Sequence, residues 1–289
     1  MYVKPFGYVS ASTVEQATEV LRHYGPDSKV LAGGQSLVPM LNLGLVQVGV
    51  LVDVTRIPGL GDIVAENGRL RIGALARYRS LEHSAEVAGA HPLIVAAVQH
   101  IGSPRIRNCG TVGGSLAHND PVAELPAVMS VLEAEYELTN GRRVRTVTAS
   151  TFPVTYYTTQ LEPDELLATI SVPLLTAGWG WGFKELSRRA GDFAVVAAAA
   201  VARCRGGRIE DVRLALSGVG ETVRRCRVFE TAARGIALEE LDSVGVTITE
   251  EVFPLDDPAT GTEYRGRLAR VLGLRAVRDA CMRSEGELE

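Results

Sequence analysis

Twice in this chain a glycine pair followed closely by a serine opens a helix-forming stretch, and this repeated punctuation constrains the fold more than any other feature. In the first instance Lys29 to Ala32 reads as a short buried strand running into Gly33-Gly34-Gln35-Ser36, and the apolar stretch Leu37 to Leu43 continues as a helix. The second instance is Thr111-Val112-Gly113-Gly114-Ser115-Leu116-Ala117-His118-Asn119-Asp120-Pro121. Glycine permits positive φ and close backbone approach because it has no Cβ. Backbone amides at the start of a helix suit an anion. Neither loop is a GxGxxG fingerprint or a P-loop. Glycine pairs after strands also occur as plain turns, so one such loop alone says little.

Two of them in one domain say more. A dinucleotide has two phosphates and several hydroxyls, and a pair of amide-rich turns can hold it from both sides. Asp120 and Glu124 then become candidate acceptors for hydroxyls, with an equal alternative for Asp120 as N-cap of a helix beginning at Pro121. His118 invites a catalytic role, but a loop histidine bonded to neighbouring backbone is the preferred reading.

Elsewhere strands and helices alternate. Thr13 to Tyr24 has helical spacing with Ser12 as N-cap and Glu15 in capping-box position; Val48 to Val54 and Leu70 to Gly73 read as strands. Leu93 to Ile101 and Val122 to Leu132 read as helices, and the glycine- and proline-rich stretch 102–121 between them reads as an irregular functional segment. Asn140-Gly141 between alternating runs predicts a hairpin with a type I′ turn, and Leu166 to Val172 a further strand. From Gly178 the texture changes to a meander of strands (179–186, 193–204, 212–216) followed by amphipathic helices over 223–234 and 262–282. With 289 residues, two domains are expected, and the change of texture near Thr176 to Gly178 divides them as 1–176 and 177–289.

A net charge of −4 offers no footprint for nucleic acid or anionic lipid. No apolar run reaches membrane-spanning length, and the N-terminus lacks a secretory core, which predicts a cytoplasmic protein. Cys109, Cys204, Cys226 and Cys281 form no CxxC clamp for zinc or iron–sulfur and are expected as reduced, buried small residues. No Ser-His-Asp set or HExxH is visible.

Residues 32–39 (Ala-Gly-Gly-Gln-Ser-Leu-Val-Pro) and 107–121 together resemble the FAD-binding signature of the carbon monoxide dehydrogenase medium-subunit family. That family also includes the flavin domain of xanthine dehydrogenase and medium subunits of nicotine- and caffeine-type dehydrogenases. The resemblance continues through Asp164-Glu165-Leu166-Leu167, residues 183–189 and residues 191–196. It implies an α+β fold, with a two-subdomain FAD-binding domain (about 1–54 and 55–176) followed by a smaller α+β C-terminal domain.

It further implies that Ala32, Gly33, Gly34, Gln35, Ser36 and Leu37, with Thr111, Gly113, Gly114 and Ser115, hold the FAD pyrophosphate. Glu124 would lie near the ribityl or ribose, Leu167 or Ala168 in the adenine or flavin pocket, and Phe193 against the isoalloxazine face. Ile101, His118 and Asp120 join the cofactor-binding set, and Lys184 matches a lysine that contacts FAD in the xanthine dehydrogenase branch. Gln35 stands where carbon monoxide dehydrogenases often carry histidine, which argues for an organic substrate.

In such complexes a large subunit with a molybdenum cofactor hydroxylates substrate, and [2Fe-2S] clusters of a small subunit carry electrons to FAD. FAD then serves an external small-molecule acceptor. The implied assembly is a heterotrimer, paired into a dimer only by analogy. Two rival readings remain: a self-sufficient flavin oxidase, and a non-catalytic scaffold whose glycine loops are merely turns. Arg188 and Arg189 are read either as partner- or acceptor-facing or as a solvated pair.

Overall fold

In the computed structural model, which describes residues 4–253 and 260–288, three principal sheets succeed one another along the chain. The first is parallel, with Val50–Asp53 between Gly7–Ser10 and Ser28–Leu31. All four residues of its central strand are buried, as expected of a valine-rich run covered on both faces. The helix Val14–Tyr24 packs on this sheet through Ala17 and Leu21. Its N-cap is Thr13, whose hydroxyl accepts from the Gln16 amide, so the cap lies one residue beyond the expected Ser12.

The second sheet is antiparallel, in the order Ile63–Glu66, Arg69–Gly73, Leu166–Pro173, Glu135–Thr139, Val144–Thr148. The strand Ile63–Glu66, absent from the sequence reading, is the edge partner completed by the Asn67-Gly68 turn. The Asn140-Gly141 hairpin forms, but not as type I′: only Gly141 has positive φ, at 78°. The Asn140 side chain instead accepts from the amides of Arg142 and Arg143, a local bond that competes with the two-residue turn.

The third sheet is a meander of Trp179–Ser187, Ala194–Arg205, Arg208–Ser217 and Arg224–Arg225. Its alanine-rich second strand is buried on both faces and works by the two-residue period. Ala197, Ala199 and Val201 enter one core, whereas Val196, Ala198, Ala200 and Ala202 enter the other. The long helix Thr262–Glu285 covers the second face, and Gly180 and Gly182 let it lie almost on the backbone of the edge strand.

The other face meets Glu124–Val131, a helix whose eight residues are all buried. Ser217 donates to the Ala123 carbonyl at 2.6 Å, Gly218 to that of Pro121 at 2.8 Å, and Arg225 to that of Ser130 at 2.9 Å. One apolar core therefore runs from the antiparallel sheet into the C-terminal meander.

Two expectations fail here. The stretch 102–121 contains two helices, Pro104–Cys109 and Val112–His118, each opened by a residue suited to a helix start, Pro104 and the N-cap Thr111. Tertiary packing overrides the poor helix propensity of its glycines. Cys204 and Cys281 are not free thiols: they stand as a disulfide pair between strand and helix, Cα to Cα 5.4 Å. Cys109 and Cys226 are free, as expected, but only Cys226 is buried; Cys109 is exposed beside the cleft.

Candidate functional site

The first glycine loop leaves the parallel sheet at Leu31 and enters the six-residue helix Leu37–Asn42. Gly34 sits at φ +69°, a region that side chains avoid. Gly33 packs so closely that an added Cβ would lie 2.2 Å from the Cys109 carbonyl oxygen and 2.8 Å from the Gly110 Cα. The two loops, nearly eighty positions apart in sequence, therefore touch backbone to backbone. Between them lies a cleft of about 180 Å³, lined by Ala32, Gly33, Thr55, Leu75, Arg77, Cys109 and Thr111.

The loops differ in what they offer. Within the described residues no hydrogen bond engages the amides of Gly34, Gln35 and Ser36, and the Ser36 hydroxyl makes no cap bond. Gln35 folds back, its side chain donating to the Gly33 carbonyl at 2.9 Å. In the second loop the four amides after Thr111 are already engaged: Val112 donates to Ala76, Gly113 to Ala74, Gly114 to the Thr111 hydroxyl and Ser115 to the Thr111 carbonyl. The two loops, expected to present matching amide clusters to one anion, are therefore unequal. The first loop therefore has more amides to give; the second offers that of Thr111 and a wall, because its glycines are needed for packing. A Cβ on Gly113 would lie 2.4 Å from that of Ala74.

The other predicted residues fall around this centre. Leu167 is buried in the strand Leu166–Pro173, beside a register shift at Ala168, whose carbonyl accepts from Ala74 beneath Gly113. Burial pushes the Tyr78 phenol up to about 12, against a lowering influence of Ser115. Ile101 closes the helix Pro92–His100, and the loop carrying Phe193 approaches there, with the Cβ position of Gly191 3.1 Å from the Gly102 carbonyl. Phe193 itself is 74% exposed, an aromatic face left open.

Three residues behave differently from expectation. Asp120 does not cap the following helix, which starts at Glu124 with Ala123 as N-cap; its carboxylate accepts from the Val122 amide instead. His118 ends a helix rather than lying in a loop, and its ring packs on Tyr157 at 5.0 Å; burial keeps it neutral, its pKa lowered against the opposing pull of Asp120. Lys184 pairs with Asp279 of the long C-terminal helix at 2.6 Å, on the strand face shared with Gly180 and Gly182. Thr55, Leu75 and Arg77 were not anticipated. Thr55 is held by Asp53, which accepts from its amide at 2.8 Å and from the Tyr8 hydroxyl.

Behind the second loop two carboxyl groups share a dry environment. Burial pushes Glu124 up to about 7, with Asp120 adding to it. Burial, and then the charge of Glu124, pushes Glu185 up to about 8, and its Oε2 is buried without a hydrogen-bond partner. The folded chain thus holds these protons more tightly than the unfolded chain, where both carboxyls titrate near 4.5. Their contribution to stability is complete below about 4.5 and is lost as pH rises through about 7 and 8. Thermal unfolding is expected to lose on the order of 1–2 kcal/mol from this source between pH 6 and pH 9, and Glu185→Gln to flatten that slope. An equal slope in the variant would show that Glu185 does not titrate in this range.

Residues 4–175 match the family described as "FAD binding domain in molybdopterin dehydrogenase", and residues 181–280 that described as "CO dehydrogenase flavoprotein C-terminal domain". The chain belongs to this family of FAD-binding medium subunits of molybdenum hydroxylases.

Among its relatives is the 6-hydroxypseudooxynicotine dehydrogenase complex subunit alpha of Paenarthrobacter nicotinovorans, 35% identical, the match covering 96% of this chain and 95% of the relative. The carbon monoxide dehydrogenase medium chain of Hydrogenophaga pseudoflava is 34% identical over 96% of this chain and 98% of its own. In structure, carbon monoxide dehydrogenase from Hydrogenophaga pseudoflava superposes with a TM-score of 0.94 at 35% identity, covering 97% of this chain and 98% of that one. Quinoline 2-oxidoreductase from Pseudomonas putida 86 gives 0.93 at 31% identity, covering 100% of each.

The expected α+β, two-domain FAD-binding architecture is therefore correct. The cleft fits the cofactor on structural grounds as well: a side chain at Gly33 would fill the space between the loops, and donors at Gly34 to Ser36 are unengaged. Among the described residues no helix is long and apolar enough to cross a membrane.

Proposed function

We propose that this chain carries electrons within a molybdenum hydroxylase, between iron–sulfur clusters of a partner and an external acceptor. One observation carries the reading: unengaged amides at Gly34, Gln35 and Ser36 stand beside a cleft whose depth depends on the absence of a side chain at Gly33. In that cleft FAD supplies an exchange of electrons singly or in pairs.

The chain's own part is to bind and place. The first loop donates to the pyrophosphate through its amides and the Ser36 hydroxyl. Leu37 packs behind it, while Thr111 and the glycine wall of Gly113 and Gly114, backed by Ser115, limit how far the cofactor can shift. Glu124 serves as the hydroxyl acceptor, with Leu167 and Ile101 as apolar walls and Phe193 as an exposed ring against the flavin. The division near residue 176 belongs to the same reading, with the meander as the platform that brings Phe193 round to the first domain.

The names of relatives, "medium chain", "medium subunit" and "complex subunit alpha", support partners that hold the other centres: a large subunit with molybdenum and a small one with iron–sulfur clusters. Relatives named for nicotine, a nicotine derivative and caffeine support an organic substrate for the assembly.

Purification of the native assembly followed by absorption spectra and metal analysis tests this. Flavin bands with molybdenum and iron in fixed ratio are expected. A yellow single chain, metal-free and fully active on a small molecule, would favour a self-sufficient oxidase, and a colourless one a scaffold.

A further inference from the structure

We propose that Arg77 is a binding residue of this cleft, its guanidinium neutralising the negative charge of a diphosphate seated between the two glycine loops. The proposal rests on the cofactor reading above and adds to it a residue that neither the glycine pattern nor the family resemblance pointed to.

Among the seven residues lining the cleft, Arg77 alone carries a charge. No carboxylate there offsets the phosphates, and the other lining groups are apolar, hydroxyl or thiol. Amides by themselves supply only partial charges, so a dianionic group desolvated between two backbone walls is left short of compensation. A guanidinium offers five donors in a planar fork suited to phosphate oxygens.

The placement of Arg77 is fixed by the second loop itself. Its backbone forms an isolated bridge with Thr111, and the next amide, Tyr78, donates to the Gly110 carbonyl at 3.1 Å. The side chain is anchored by one nitrogen only, with Nη1 donating to the Asn108 carbonyl at 3.1 Å. Nearby arginines have acidic partners: Arg107 reaches Glu82 at 3.2 Å and Arg79 reaches it at 3.6 Å. Among the described residues Arg77 has no such partner. A single backbone anchor at the rim leaves most of the fork available while aiming it along the loop that walls the cleft.

The full-length chain, stripped of flavin, is titrated with FAD, with riboflavin and with inorganic pyrophosphate, in wild type, Arg77→Ala and Arg77→Lys. Flavin fluorescence reads the first two and calorimetry the third. Arg77→Ala is expected to weaken FAD by about 10- to 100-fold, the range for losing a charged hydrogen bond. Riboflavin, which has no phosphate, should change by less than about twofold, and Arg77→Lys should recover part of the loss by restoring charge without the fork.

Unchanged FAD affinity in Arg77→Ala would overturn the proposal. So would equal weakening of FAD and riboflavin, since Arg77 would then only prop the loop through Asn108. If wild type binds neither flavin, the cofactor reading falls on its own account. Pyrophosphate then still decides Arg77: equal affinity in wild type and Arg77→Ala, including none in either, counts against it.

Discussion

Gly33→Ala is expected to yield a folded but colourless protein. The new Cβ would lie 2.2 Å from the Cys109 carbonyl oxygen and 2.9 Å from its carbon, distances that no side-chain adjustment relieves because both atoms are backbone. The loops must part, and their separation defines the cleft. An overpacking cost near 3 kcal/mol, charged against the bound state, corresponds to roughly a hundredfold loss of FAD affinity. Fluorescence titration of the flavin-free variant measures it, with Gly61→Ala as comparison, since a Cβ there meets nothing within 4 Å. Wild-type affinity in Gly33→Ala would mean that the contact between loops does not shape the cofactor site.

Gly182→Ala should damage stability rather than binding. Its Cβ would fall 2.0 Å from the Ala276 carbonyl oxygen, and Gly180 stands in the same relation to Ala280. Two glycines on one strand face let the helix Thr262–Glu285 rest directly on the sheet, so a methyl group must push the helix off along a length that buries Ala276, Val277 and Ala280. The expected loss is roughly 3 kcal/mol, or a fall in melting temperature of about 5–10 °C. Calorimetry on the variant checks this. A melting temperature within about 2 °C of wild type would show that the helix is free to shift.

Much of this was legible in the sequence, for identifiable reasons. The glycine loops announced themselves because close backbone approach leaves glycine little competition. The alanine-rich strand showed as an unbroken apolar run, as suits a strand buried on both faces, and the long final helix through apolar positions in helical register. The helices over 104–118 were hidden since glycine and asparagine argue against helix locally, and packing, against residues 74–78 among others, helps to stabilise them. The inequality of the two loops was hidden for a related reason: sequence shows where amides occur, not whether Ala74 and Ala76 have already claimed them. Arg77 and Thr55 were invisible because neither lies in a patterned motif, and both reach the cleft only through long-range pairing, Arg77 with Thr111 and Thr55 by way of Asp53 and Tyr8.

The helix Glu124–Val131 has no solvent-facing side, since the helices Pro92–His100 and Val112–His118 and the meander each claim part of it. Pulling the two halves of the molecule apart would strip that helix bare, so they cannot swing like a hinged shell. The mouth formed by residues 33–36 and 108–111 belongs to the first half alone, so on the proposed function nucleotide exchange would be set by how readily those short segments yield and not by any opening between the halves.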